Sequence, residues 1–81
     1  MDAPDPVSVG LVITLSSTPG AGLAVRRALA TLPDFELGAF SAHWIAAAAT
    51  TADPRALHRH LENLPGVAHV DVVFVEMARV A

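Results

Sequence analysis

The side chains able to do chemistry in this chain are few, and their spacing argues against catalysis. Four histidines, His43, His58, His60 and His69, are the residues whose ordinary ionisation lies nearest neutrality. His58 and His60 stand two apart in a stretch of helical periodicity, so they do not share a helix face. His43 and His69 could meet only across neighbouring strands, and no carboxylate pattern accompanies them as a metal site requires. The absence of cysteine removes thiolate nucleophiles, thiolate metal ligands and disulfides. Asp71 and Glu76 are too far apart along one expected strand to work as an acid and base pair, and no Ser, His and Asp order carries a local triad signature. Thr18-Pro-Gly-Ala-Gly22 could offer free amides to an anion, but it lacks the lysine of a P-loop and the glycine spacing of a dinucleotide fingerprint. The sequence therefore reads as a binding protein with no active site, no metal and no cofactor.

Composition narrows what it could bind. At 81 residues and 53% hydrophobic the chain is one domain with a core of Leu, Val, Ile and Ala. A net charge of −3 speaks against a nucleic-acid partner, which calls for a basic patch, and for a basic peptide. Met1-Asp-Ala-Pro-Asp-Pro6 is the reverse of the basic start of a secretory signal, and no apolar run approaches the ~20 residues of a membrane helix. A cytoplasmic protein without membrane insertion is the expectation.

The elements that position the binding residues follow from periodicity and breakers. Residues 1–6 read as a tail, 7–77 as the domain and 78–81 as a second tail. Val7–Leu15 is a strand, nearly all apolar. Thr18 as cap and Pro19 in the first turn start a helix whose stripe is Val25, Leu29 and Leu32, ending at Pro33. Arg26 and Arg27 fall outside that stripe and read as a solvated face. Asp34–Phe40 is a second strand, joined through Ser41-Ala42 to a third from His43 to Thr50, which is alanine-rich yet too short for a helix at that place. Asp53 and Pro54 start the second helix, with Leu57, Leu61 and Leu64 as its stripe, and Pro65-Gly66 stops it before the strand Val67–Val75.

The halves repeat at an offset of 32 residues: Ile13 with Ile45, Val25 with Leu57, Leu29 with Leu61, Leu32-Pro33 with Leu64-Pro65. A doubled strand, helix, strand unit predicts an α+β, ferredoxin-like βαββαβ sandwich. Its four-stranded antiparallel sheet has the order 4-1-3-2, with both helices on one face. Strict alternation assigns Leu11, Ile13, Leu15, Phe35, Leu37, Ile45, Ala47, Val70, Val72 and Phe74 to the core. The helix-free face then receives Gly10, Val12, Thr14, Glu36, Gly38, Phe40, Trp44, Ala46, Ala48, Asp71, Val73 and Val75, although the alanines of the third strand leave the facing of Trp44 open. Within that set Gly10, Val12, Glu36, Phe40, Trp44, Ala46, Asp71, Val73 and Val75 are the candidate peptide-binding residues: an apolar floor with Glu36 and Asp71 at its margins. Pairing of this face with itself in a homodimer is the alternative use of the same surface. A regulatory module of the amino-acid-binding type, with ligand near the helix-start glycines, is another.

Three segments, Gly10-Leu-Val-Ile13, Leu32-Pro-Asp-Phe-Glu-Leu37 and Leu64-Pro-Gly-Val67 leading to Val72-Val-Phe-Val-Glu76, resemble the NapD-type cytoplasmic chaperones that accompany the catalytic subunit of periplasmic nitrate reductase. The resemblance runs from Val7 onward. It implies a ferredoxin-like fold and binding of the twin-arginine signal peptide of a reductase, or related molybdoenzyme, precursor. Export would be held back in this way until the cofactor is inserted.

Overall fold

A computed structural model describes residues 5–77, with the order β1 (Val7–Leu15), α1 (Ala21–Ala30), β2 (Phe35–Phe40), β3 (Trp44–Thr51), α2 (Pro54–Glu62) and β4 (Val67–Met77). Residues 1–4 of the expected first tail, and all of 78–81, lie outside the described residues. The strands form one sheet in the order β2-β3-β1-β4, which is 4-1-3-2 counted from the other edge, and every neighbouring pair is antiparallel. This is the ferredoxin-like α+β arrangement.

Alternation along β1 decides where the core sits. Val9, Leu11, Ile13 and Leu15 are all buried, and they form one cluster with Ile45 and Ala49 of β3, Val70 of β4, Val25 and Leu29 of α1 and Leu61 of α2. One residue parity in the sheet thus meets both helices, so the two helices share a face. The other parity, Val12 and Thr14 in β1 and Trp44, Ala46 and Ala48 in β3, faces away from them.

The helix starts differ. Asp53 caps α2 as expected, its carboxylate accepting from the Ala56 amide at 3.0 Å with Pro54 in the first turn. Thr18 does not cap α1. Gly20 holds that position with φ 83 and no side-chain bond, and the Ala21 amide donates to the Thr18 carbonyl. The chain needs a left-handed residue to turn from β1 into the helix, and glycine takes that conformation without a Cβ penalty. Gly66, φ 95, does the same before β4 while its carbonyl accepts from the Ser16 amide at 2.8 Å; a Cβ there would press on Val25 and Ala21 at 3.0 and 3.2 Å.

Strict alternation fails in the edge strands. Leu11 lies opposite Val72 but Gly10 opposite Phe74, so Val73 is an extra residue in β4; Thr14 and Leu15 pair with His69 and Val67, which makes Ala68 another. In β2 the register slips between Leu37, opposite Ala47, and Phe40, opposite Ile45. An inserted residue reverses the facing of everything beyond it. Phe74, expected in the core, therefore lies on the helix-free face across Gly10. Val75, expected on that face, lies opposite core residue Val9, and Phe40 opposite core residue Ile45.

Candidate functional site

The helix-free face can be laid out in rows from the strand register, each running β2, β3, β1, β4. One row is Glu36, Ala48, Gly10 and Phe74; the next carries Ala46, Val12 and Asp71; the third Trp44, Thr14 and His69; and Thr50, Ser8 and Glu76 close the opposite end. Small residues in the two central strands keep the middle low. Larger side chains rise at the ends and along the edges.

Glu36 and Asp71 both stand where alternation places them, at opposite edges of this face, and Glu76 adds a third carboxylate beside Ser8. Asp71 is engaged by its neighbour two residues back: His69 Nε2–H donates to Asp71 Oδ1 at 2.9 Å, with both side chains more than half exposed. Glu36 forms no ion pair among the described residues. It lines a hollow of about 420 Å³ with Ser8, Asp34, Phe35, Ala48, Ala49 and Thr50. Asp34 enters that hollow from a left-handed turn, φ 53, with its carbonyl accepting from the Thr50 amide at 2.9 Å.

Trp44 points to the helix-free side, opposite Thr14, and is 39% exposed. Phe74 is the residue that strict alternation missed. Its ring lies over Gly10 so closely that a Cβ there would meet ring atoms at 2.0 to 2.8 Å, and Gly10 is buried beneath it. Gly10 accordingly shapes the floor without offering a surface to a ligand. Two strands and four residues separate Trp44 from Phe74, a diagonal of about 16 Å at standard strand spacing. Val12, Ala46 and Ala48, half-buried, form the ground between the two rings. Three turns of an α-helix span about the same length.

Two expected members, Phe40 and Val75, leave the site, and a third, Val73, loses its cross-strand partner. Phe40 lies on the helix side, where the Arg26 guanidinium sits 4.3 Å from the ring centroid while Arg26 Nε–H donates to the Gly22 carbonyl. Arg26 is thus a packing residue, which its position outside the apolar stripe of α1 does not disclose. Val75 joins the helix side, and Val73 is the unpaired residue of the bulge. Val12, Glu36, Trp44, Ala46 and Asp71 remain together. Phe74 and Glu76 join them, and the signal for both was the offset that a bulge imposes, which no residue type in Val72-Val-Phe-Val-Glu76 announces.

The helix-start glycines border a smaller, separate hollow of about 340 Å³, lined by Thr18, Pro19, Gly20, Ala21, Ala24, Pro65 and Gly66. No ionisable side chain lines it, so it has nothing to hold the charged ends of an amino acid. No helix of the described residues is long and apolar enough to cross a membrane. Comparisons of the chain with protein-family models, with curated proteins and with solved structures find no match.

Proposed function

We propose that this protein is a cytoplasmic chaperone of the twin-arginine signal-peptide-binding type. Its helix-free face would take the leader of a periplasmic nitrate reductase, or a related molybdoenzyme, before export. The observation that carries the reading is a helix-free sheet face with a low apolar floor, two aromatic rings about 16 Å apart and exposed carboxylates at both edges. A leader of that type presents two arginines and then an apolar run able to turn helical. The run would lie on Val12, Ala46 and Ala48 between Trp44 and Phe74, where burial supplies affinity. The arginines would meet Glu36 or Asp71, where charge supplies direction. Holding the precursor needs no chemistry, because a leader bound well above its dissociation constant is mostly withheld from the transporter.

Trp44 is the chain's one tryptophan, so its fluorescence reports occupancy of this face directly. A synthetic peptide of two arginines followed by an apolar run is expected to shift Trp44 emission to saturation. E36K/D71K is expected to weaken binding at least about tenfold, as charge pairs of this kind do. A peptide that leaves Trp44 unchanged, or a double variant with wild-type affinity, would sink the reading.

A further inference from the structure

The register shift that takes Val75 off the helix-free face gives the other side of β4 a second surface. Val72 and Val75 both lie on the helix side, opposite core residues Leu11 and Val9, yet they remain 46% and 55% exposed. The helix above them, α2, turns its buried residue Leu61 toward the centre of the sheet and leaves the outer strip of β4 unroofed. The result is a groove of about 390 Å³ between α2 and β4, floored by the two valines and walled by Pro54, Arg55, His58, Arg59 and Glu62.

Its charge is opposite to that of the helix-free face. Glu62 is engaged within its own helix, its Oε1 lying 3.1 Å from His58 Nδ1, while His58 Nε2 lies 2.9 Å from the Val70 carbonyl. Arg55 and Arg59, one helical turn apart on the exposed side of α2, have no carboxylate within 4 Å among the described residues. We propose that the groove between α2 and β4 is a second docking site, for an amphipathic protein segment carrying two carboxylates beside an apolar stripe. The arginines are about 6 Å apart along the helix axis. The segment's acids would therefore stand at i and i+4 of a helix or i and i+2 of a strand, with apolar side chains on Val72 and Val75.

The charges also choose between occupants. A second copy presenting the same groove across a two-fold axis would gather two Arg55 and Arg59 pairs into one interface, four positive charges against the two Glu62 carboxylates. Addition of a further strand to β4 is opposed by His58, which already occupies the Val70 carbonyl, and by the bulge at Val73. The site does not depend on the peptide reading of the opposite face, and the two can be occupied at once.

The test uses the whole chain, labelled for amide NMR, with two helical peptides of identical apolar face, one bearing glutamates at i and i+4 and one lysines. The acidic peptide is expected to move the amides of residues 55–62 and 72–77 and to leave Trp44 emission unchanged; the basic one is expected to leave α2 undisturbed. R55E/R59E, at exposed positions, is expected to lower affinity for the acidic peptide at least about tenfold, while circular dichroism stays as in the parent. Equal binding of both peptides, wild-type affinity in R55E/R59E, shifts mapping to the helix-free face, or concentration-dependent self-association through residues 72–77 would each overturn the proposal.

Discussion

At the scale of single residues, Gly10 and Phe74 form a unit that shapes the face. A glycine inside a strand weakens it by loss of chain entropy and of side-chain packing, and an aromatic ring laid across it restores buried surface. Any Cβ at Gly10 must displace the ring, and since Phe74 is 46% exposed the ring has somewhere to go. Gly10→Ala is therefore expected to cost about 1 kcal/mol rather than to unfold the protein, within the usual range for overpacking. The cost should fall close to zero, or become a small gain from strand propensity, in a Phe74→Ala background. A thermal or urea double-mutant cycle reads the coupling, and equal costs in both backgrounds would show that the ring is not held over Gly10.

At the scale of elements, the bulges of β4 set which side chains reach the binding face. Counting across Val73 shows what the insertion does: Val72 faces the helices, Phe74 the open side and Val75 the helices again, so removing Val73 leaves an unbroken alternation with the same facings. Deletion of Val73 is expected to preserve the fold and the Phe74 contact with Gly10, observable as ring-to-Gly10 nuclear Overhauser effects. Deletion of Val70, by contrast, reverses the strand beyond it and removes a core side chain that is 2% exposed. The variant without Val73 should also aggregate more readily, because a flatter edge accepts a further strand.

At the scale of the whole molecule, a small core leaves little margin. For 81 residues the usual range of net stability is about 4 to 12 kcal/mol, and one buried Leu→Ala costs about 2 to 5 kcal/mol. Leu29→Ala, a fully buried position of α1, is expected to lower the denaturation midpoint steeply and to leave a sizeable unfolded fraction at 37 °C; a shift of only a few degrees would mean that α1 contributes little to the core. Charge is also divided across the molecule. Arg26, Arg27, Arg55 and Arg59 lie on the helices, while Glu36, Asp71 and Glu76 lie on the helix-free face. That division gives a protein of net charge −3 two sides able to attract partners of opposite sign.

Register against β1 decided the facing of the alanine-rich β3, whereas the doubled pattern of Val25 with Leu57 and Leu29 with Leu61, the breakers at Pro33 and Pro65-Gly66, and the alternation of β1 determined the element order, the sheet order and the inner side of β1. These are local and periodic properties, and a single chain states them. Tertiary structure alone decided the facing beyond Val73 and at Phe40, the seat of Phe74 on Gly10 and the stacking of Arg26. A bulge is an offset between two strands, fixed by pairing with β1 or β3, and neither β4 nor β2 carries that offset in its own residues.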